Sequence, residues 1–196
     1  EVKNSGTTST EAGILLSNVE QCSIENNKVI SNLNGIGILY GSQNLIKNNE
    51  VTNNSAYGLA VIGSTVNTIE SNTLNTNSLD AIALDNASAI GGLVSIGANG
   101  NFIKTNIISS NRDGIFIGEN CNSNEITDGN SLDQIGSIGI HVWRNGSQTI
   151  TGNTITNAAF GLKLRGITNG TITGNTITNN EIGIEVEAYY ANGWHP

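Results

Sequence analysis

The stretch TITGNTITNN, from Thr171 to Asn180, repeats almost letter for letter the stretch TITGNTITNA, which runs from Thr149 to Ala158. The Ile-x-x-Asn-x-(Val/Ile/Leu) unit in these copies recurs at Ile24/Asn27/Val29, Ile46/Asn49/Val51, Ile69/Asn72/Leu74, Ile103/Asn106/Ile108, Ile150/Asn153/Ile155 and Ile172/Asn175/Ile177. A second unit, Gly-(Ile/Leu)-x-apolar, alternates with it and begins at Gly13, Gly37, Gly58, Ala81 (in place of Gly), Gly114, Gly139, Gly161 and Gly183. The period is 22 to 24 residues, apart from one longer step between Asn72 and Asn106, and such a period is typical of stacked repeats.

Apolar and polar residues alternate inside each unit, which is the period of a β-strand. Gly, Asn and Ser separate strands of about four residues. One unit cannot bury its own apolar face, whereas stacked units bury a continuous core. The sequence therefore predicts an all-β parallel β-helix of about eight coils, with three short strands in each coil. We expect residues 1–196 to form a single domain and to be a piece of a longer protein.

Asparagine recurs at one position of every repeat, which suggests a turn. Asn tolerates left-handed backbone geometry, and stacked amides can hydrogen-bond to one another. A second Asn column, predicted for the next turn, contains Asn32, Asn54, Asn77, Asn111 and Asn180.

These units resemble the parallel β-helix repeats of the pectate-lyase-like superfamily, in particular the carbohydrate-binding and sugar-hydrolysis type of repeat. The resemblance extends over nearly the whole chain and implies a right-handed β-helix. Lyases, hydrolases, epimerases, adhesins and phage spikes all carry such repeats, and the superfamily has no fixed catalytic motif. Function must therefore be inferred from the outward-facing residues.

Charge and composition exclude some classes of function. A net charge of −8 argues against nucleic acid as a partner, because nucleic acid selects Lys and Arg. No apolar run approaches the length of a membrane span. We expect the protein to be extracellular or located at the cell surface. Cys22 and Cys121 follow strands four coils apart, a separation of about 19 Å, which exceeds the reach of a disulfide. Two free thiols are predicted.

The residues predicted to point away from the core change character along the chain. Two outward columns are mostly apolar or small in the early coils and contain Leu15, Leu39, Ala60, Ala83 and Phe116, and Ser17, Gly41, Ile62, Asp85 and Gly118. In the last three coils these columns contain His141, Trp143, Lys163, Arg165, Glu185 and Glu187, which we call the late face. Because only 12% of the chain is charged, this cluster predicts a functional site.

A sugar-binding groove is the favoured interpretation of the late face. Trp143 offers a flat apolar platform for a sugar ring, and Arg165 and Arg144 can each hold a carboxylate or sulfate bidentately. His141 and Lys163 can transfer protons. The candidate catalytic residues are Asp113, His141, Lys163 and Arg165, and the candidate substrate-binding residues are Asp85, Trp143, Arg144, Glu185 and Glu187.

The alternative is a ladder of structural ion pairs. On the sheet that carries Ile24, the outward residues alternate in sign through Glu25, Lys47, Glu70 and Lys104, which is typical of weak surface pairs. Lys163 and Glu185 could continue the same pattern, with Trp143 merely covering it.

Asp80 and Asp113 hold equivalent positions in consecutive coils and should stack about 4.8 Å apart. Such a pair can raise the pKa of one carboxyl or bind Ca²⁺, although ordinary turn carboxylates are the favoured interpretation. No other metal and no cofactor is predicted.

Two further regions are candidate surfaces. The long step contains ASAIGGLVSIGANGN, from Ala87 to Asn101, which should leave the coil after Asp85 and form a wall of the groove or a small extra hairpin. The early outward residues Leu15, Leu39 and Ile62 form an apolar face that predicts a neighbouring domain or a second copy as partner.

Together these features predict a β-helix that binds, and processes, an acidic polysaccharide. A lyase or epimerase would use His141 or Lys163 as base and Arg165 to neutralise a uronate carboxylate, whereas a hydrolase would use two of Asp113, Glu185 and Glu187. The rival class is a non-catalytic adhesion module that only binds glycan. Ice binding, suggested by Thr pairs such as Thr149/Thr151, ranks last because the array spans two coils.

Overall fold

The structure is a computed structural model in which residues 1–8, 10–90 and 95–188 are described. Within these ranges the chain forms short strands and one 3-10 helix at Ala87–Ile90. In chain order the strands are β1 (Val2–Lys3), β2 (Ala12–Ser17), β3 (Ser23–Glu25), β4 (Lys28–Ile30), β5 (Asn34–Leu39), β6 (Leu45–Lys47), β7 (Glu50–Thr52), β8 (Leu59–Ile62), β9 (Thr68–Glu70), β10 (Thr73–Asn75), β11 (Asp80–Asp85), β12 (Phe102–Lys104), β13 (Ile107–Ser109), β14 (Asp113–Ile117), β15 (Glu125–Thr127), β16 (Ser131–Asp133), β17 (Ile138–Trp143), β18 (Thr149–Thr151), β19 (Thr154–Thr156), β20 (Phe160–Arg165), β21 (Thr171–Thr173), β22 (Thr176–Thr178) and β23 (Ile182–Glu187). None of the helical structure in this part of the chain is long and apolar enough to cross a membrane.

Every strand pairs in parallel with the equivalent strand of a neighbouring coil, which produces three sheets. Sheet 1 has the order β1-β4-β7-β10-β13-β16-β19-β22, sheet 2 the order β2-β5-β8-β11-β14-β17-β20-β23, and sheet 3 the order β21-β18-β15-β12-β9-β6-β3. Sheets 1 and 2 have eight strands and sheet 3 has seven. The predicted all-β parallel β-helix of about eight coils with three strands per coil is confirmed.

The repeated isoleucines fill the interior, as the alternation predicts. Ile69, Ile103, Ile126 and Ile150 of sheet 3 are fully buried. The repeat pattern predicts the same for Ile172, but this residue is only partly buried. The reason is its position on β21, which is the last strand of sheet 3 and therefore has a coil on one side only.

Buried asparagines stack at the turn between sheets 3 and 1. The Nδ2 of Asn49 donates to Oδ1 of Asn72 at 3.0 Å, and Asn72 donates in turn to Asn106 at 3.1 Å. The predicted amide ladder is therefore present, but the asparagines that form it do not have the predicted left-handed backbone geometry. Positive φ angles fall on the preceding residues, such as Asn48 at 54° and Ser71 at 56°. The second predicted column also forms a ladder, and a third, unpredicted ladder contains Asn44, Asn67, Asn101 and Asn124.

The predicted register is wrong in the second coil. Leu15 pairs with Gly37, and Leu39 pairs with Ser17 and Ile62. Leu39 was expected above Leu15. The repeat unit of this coil therefore begins at Gly35, two residues earlier than predicted, since the sequence GIGIL contains two glycines that fit the pattern equally well.

The early outward face is mostly covered by the chain itself. Leu39 and Ile62 are only 8% and 6% exposed and pack with Ala60 and Tyr57, whereas Leu15 is 46% exposed. The contiguous apolar surface that motivated a partner domain or second copy is therefore smaller than the sequence suggests.

Both thiols are free, as predicted. Cys22 is exposed and Cys121 is buried. Burial raises the pKa of Cys121 to about 12, so this residue is an inert core group.

Candidate functional site

Sheet 2 brings the late-face residues together in the predicted order. His141, Lys163 and Glu185 are direct cross-strand neighbours, as are Trp143 and Arg165. Glu187 completes the second row beside Arg165. All six side chains are partly buried, although Glu185 and Glu187 lie on β23, the last strand of sheet 2.

Ion pairs connect the last two coils of this face. Lys163 Nζ lies 2.7 Å from Glu185 Oε2 and 4.0 Å from Glu187 Oε1, and Arg165 Nε lies 3.5 Å from Glu187 Oε2. These side chains are 21–37% exposed, so the pairs are less solvated than typical surface pairs. Glu185 and Glu187 thus neutralise the two cations, and a bound anion would compete with them.

An imidazole lies between two aromatic rings at the centre of the face. The His141 ring centroid is 5.4 Å from that of Phe116 and 5.8 Å from that of Trp143, with edge-to-face geometry in both contacts. The guanidinium carbon of Arg165 lies 4.6 Å above the centroid of the Trp143 ring. Arg165 therefore occupies the ring face that a sugar would need from that side, and a sugar can stack only after it moves or at another part of the indole.

The protonation state of His141 follows from this environment. Burial has the largest effect and lowers the pKa of the imidazole. The negative charge of Asp113 raises this pKa, and the positive charge of Lys163 lowers it further. His141 is thus favoured as the neutral base at neutral pH. Its Nε2 is buried and has no hydrogen-bond partner among the described residues.

Asp80 and Asp113 form the predicted stacked pair at the start of β11 and β14. Arg112, which the sequence interpretation missed, bridges them: its Nη2 lies 2.7 Å from Asp80 Oδ1 and 3.4 Å from Asp113 Oδ2. Asp113 also accepts a 3.0 Å hydrogen bond from the backbone N–H of Ile138, which fixes the start of the strand that carries His141. Burial raises the pKa of Asp80 to about 6, against the opposing effect of Arg112.

Asp85 is the last residue of β11, an interior strand of sheet 2, and is separated by β14 and β17 from β20, which carries Lys163 and Arg165. Its Oδ1 accepts a 2.8 Å hydrogen bond from the backbone N–H of Asn86, and burial raises its pKa. The carboxylate fills the space above Gly118, where any Cβ would collide with it. Asp85 therefore has a packing role, and its role in substrate binding stays a prediction.

The long loop leaves the coil after Asp85, as predicted. The backbone N–H of Ala87 donates to the carbonyl of Ile96 at 2.8 Å, and Asn86 Nδ2 donates to the carbonyl of Glu119 at 2.9 Å. These bonds close the base of the loop, whereas its residues 91–94 lie outside the described residues. Whether the loop walls the groove stays a prediction.

A cavity of about 610 Å³ opens where the turns after sheet 2 meet in the later coils. Arg144, Glu119, Thr168 and Glu187 supply its polar lining. Arg144 Nη1 lies 2.9 Å from Glu119 Oε2. Glu187 belongs to both the cavity and the late face, so the two form one continuous polar surface that includes the predicted residue Arg144.

Comparison with known proteins defines the class. The family model described as "Right handed beta helix region" matches residues 1–117, which is more than half of the 196-residue chain, and the protein belongs to this family. The model described as "Periplasmic copper-binding protein (NosD)" matches residues 86–193, also more than half, so the chain belongs to the NosD family as well. No curated protein matches the chain.

Among solved structures, the crystal structure of a mutant of the periplasmic alginate epimerase AlgG is similar to this chain. The TM-score is 0.70, the sequence identity is 19%, and the match covers 83% of this chain. The chain spans only 37% of the length of that epimerase chain. At this identity the similarity shows a shared β-helix fold.

Proposed function

We propose that this protein binds an acidic polysaccharide along the late face and its adjoining cavity and removes the proton next to a uronate carboxylate. The observation that carries the proposal is the unpartnered, buried Nε2 of His141. A buried polar atom without a partner is costly in a core. When the imidazole rotates to expose this nitrogen, a substrate proton supplies it with a partner.

Substrate binding is assigned to the cations around His141. Lys163 and Arg165 lie in the next coil, and Arg144 lines the cavity. Arg165 Nε is buried and lies 3.5 Å from Glu187 Oε2 without a hydrogen bond among the described residues, so it can donate to a substrate carboxylate that displaces Glu187. Glu185 and Glu187 hold the cations in place before substrate arrives, and the carboxylate of the sugar exchanges with them.

In the reaction, His141 accepts the proton from the carbon next to the carboxylate. The negative charge that develops moves onto the carboxylate oxygens, where Arg165 and Lys163 stabilise it. Asp113 stabilises the imidazolium that forms, because its charge already favours protonation of His141. Return of a proton from water to the opposite face gives epimerisation. In elimination, the bond from the neighbouring carbon to the glycosidic oxygen breaks, a C=C bond forms, and the oxygen leaves with a proton from water or from the His141 imidazolium.

Hydrolysis by paired carboxylates is the less favoured chemistry. Asp113 lies within 3.4 Å of Arg112, and Glu185 lies 2.7 Å from Lys163. Both carboxylates are therefore engaged in ion pairs that a substrate would have to break before they could act on it.

A second candidate is a module that binds glycan without altering it. The specific observation in its favour is the Lys163–Glu185 pair, which is the continuation expected of a structural ion-pair ladder. Under this proposal the late face and the cavity bind glycan, and the imidazole of His141 contributes only to packing.

We propose that the protein is located outside the cytoplasm. The NosD family and the alginate epimerase AlgG are both described as periplasmic, and this supports the proposal.

Copper, which the description of the NosD family names, does not fit the described donors. Copper sites use imidazole, thiolate and thioether ligands. The chain has no Met, and the described coils contain no group of three or more His, Cys, Asp or Glu that could hold a metal ion. At the Asp80–Asp113 pair, Arg112 already supplies the positive charge that Ca²⁺ would bring. No step of the proposed reaction uses a metal.

The test is a panel of acidic glycans incubated with the protein in D₂O. Deuterium at the carbon next to the carboxylate, or an unsaturated product, supports proton abstraction. New reducing ends without unsaturation indicate a hydrolase. Binding without any chemical change indicates the adhesion module, and the absence of both binding and turnover contradicts both candidates.

A further inference from the structure

We infer that Asn169 is a site of spontaneous modification, at which the side-chain amide is lost through attack by the backbone nitrogen of Gly170. Glycine has no Cβ, so its nitrogen approaches the Cγ of the preceding asparagine without hindrance. A bond forms between this nitrogen and Cγ, the Cγ–Nδ2 bond breaks, and the nitrogen's proton leaves with the amide as ammonia. Water then opens the cyclic imide and yields aspartate or isoaspartate.

The described part of the chain contains four Asn-Gly pairs, which begin at Asn34, Asn99, Asn145 and Asn169. Asn145 is 5% exposed, accepts a 2.7 Å hydrogen bond from the backbone N–H of Cys121 and donates to the carbonyl of Gly118 at 2.6 Å. Both ends of its carboxamide are thus held by backbone.

Asn34 and Asn99 are held in the same way. Asn34 is 3% exposed and donates to the carbonyl of Glu11 at 2.7 Å while accepting from the N–H of Tyr57 at 3.3 Å. Asn99 accepts from the N–H of Asn122 at 2.6 Å and donates to the carbonyl of Gly97 at 3.1 Å. Turning either amide toward the following glycine nitrogen breaks these hydrogen bonds, which slows the reaction.

Asn169 is the exception among the four. It is exposed, as is Gly170, and its side chain makes no hydrogen bond to the residues that the structure describes. The cross-coil bonds on either side, from Thr168 N–H to Asn145 O at 3.2 Å and from Thr171 N–H to Gln148 O at 2.8 Å, leave these two residues at the surface between them. The amide of Asn169 is therefore free to rotate toward the attacking nitrogen.

The position of this turn gives the modification a consequence for binding. Thr168 lines the cavity together with Arg144, Glu119 and Glu187. A new carboxylate at position 169 adds negative charge beside two existing carboxylates and disfavours an anionic ligand. This consequence rests on the proposed function, whereas the chemistry at Asn169 does not.

The chemistry is tested by incubating the full chain in mildly alkaline buffer and mapping the peptides by mass spectrometry over time. We expect conversion at Asn169 about tenfold or more faster than at Asn34, Asn99 or Asn145, because the latter must first break hydrogen bonds. Gly170→Ala should slow conversion at Asn169, and denaturation in urea should bring the four rates together. Equal rates in the folded protein, or an unchanged Asn169, would overturn the inference.

The consequence is tested separately with Asn169→Asp and its matched control Asn169→Gln. Asn169→Asp should bind an acidic oligosaccharide about two- to fivefold more weakly than the parent, the range for one exposed charge, and Asn169→Gln should bind like the parent. If conversion occurs at Asn169 but Asn169→Asp binds normally, the cavity lies outside the glycan site. If the parent binds no acidic glycan, the proposed function fails, and the mass-spectrometric result alone decides the modification.

Discussion

Two faces of this β-helix carry rows of alternating charge, and they differ in what lies beside the charges. On sheet 3, Lys47 and Lys104 both pair with Glu70, at 2.6 and 3.0 Å. On sheet 2, the Lys163–Glu185 pair of 2.7 Å adjoins the ring of His141. Opposite charges in neighbouring coils attract one another when the coils stack. This structural role accounts equally well for both rows of charge.

The difference lies in the groups that stacking does not explain. The described strands of sheet 3 place no titratable ring beside their ladder. Sheet 2 buries an imidazole between Phe116 and Trp143 and leaves its Nε2 without a partner among the described residues. An unpartnered atom on a titratable ring, rather than the number of charges, therefore distinguishes the candidate site on sheet 2 from the ladder on sheet 3.

The largest expected effect separates the two faces directly. His141→Gln should lower kcat by about 10² to 10⁴-fold, because glutamine keeps a polar side chain but cannot accept the proton. The measurement is initial rate on whichever acidic glycan the parent converts. Lys104→Ala on sheet 3 is the control and should leave the rate unchanged. Equal rates for His141→Gln and the parent would reduce the late face to a second structural ladder.

The pH dependence of the rate tests the role of His141 on the late face in a second way. Burial lowers the pKa of His141, so the neutral base should persist to lower pH than an ordinary histidine allows. We expect kcat/KM to rise about tenfold per pH unit on the acid limb, with the midpoint of that limb below a pH of about 6.5. An acid limb with its midpoint above this value would indicate a different base, for which Lys163 is the next candidate.

The buried carboxyl of Asp80 on sheet 2 and the ion-paired carboxyl of Glu70 on sheet 3 should respond to pH with opposite signs. The pKa of Asp80 is raised to about 6, so its contribution to stability is present below the unfolded value and is lost as pH rises through about 6. Asp80→Asn should therefore match the parent near a pH of about 4 and exceed its free energy of unfolding by about 1–3 kcal/mol near neutral pH. Denaturant unfolding at both pH values measures this.

Glu70→Gln on sheet 3 is the matched control. Hydrogen bonds from Lys47 and Lys104 lower the pKa of Glu70, so its contribution is present at neutral pH and is lost on acidification. Glu70→Gln should be less stable than the parent at neutral pH, with the difference shrinking in acid. If Asp80→Asn is also less stable than the parent at neutral pH, the stabilisation from the ion pair with Arg112 is larger than the cost of burying the Asp80 carboxylate.

Trp143→Ala should raise KM, or weaken glycan binding, by about two- to tenfold, since one aromatic contact typically contributes about 0.5–1.5 kcal/mol. The effect should be in binding rather than in kcat, because the indole touches no transferred proton. Calorimetric titration with an acidic oligosaccharide measures it, and Phe102→Ala on sheet 3 provides an aromatic control away from the site. An unchanged affinity would mean that Arg165 keeps the indole covered.

The fold could be predicted because one physical problem recurs in every coil. Each repeat must bury the same apolar stripe, and a fixed period of Ile and Asn is the visible result. The register of the second coil could not be predicted, since Gly35 and Gly37 are two residues apart and a strand period of two does not distinguish them. Only pairing with the neighbouring coils decides between them.

The composition of the site was predictable in part for a similar reason. His141, Lys163 and Glu185 hold the same position of successive repeats, so the sequence alone aligns them. Arg112 holds a position at the end of a turn, outside the outward columns, and was missed. Its place immediately before Asp113, one coil after Asp80, was the available signal, because a stacked pair of buried carboxylates requires a nearby cation.

The smallest expected effect concerns the ladders themselves. Lys104→Ala and Lys163→Ala should each lower the free energy of unfolding by about 0.2–1 kcal/mol, because both remove one partner of a partly solvated ion pair. Lys163 is 21% exposed and Lys104 is 36% exposed, so Lys163→Ala should be the more costly of the two and the less sensitive to added salt. Denaturant midpoints at low and high salt measure both differences. If the two variants lose the same stability and respond alike to salt, the two rows of charge are physically equivalent. The functional distinction between the faces then rests on His141 and Trp143 alone.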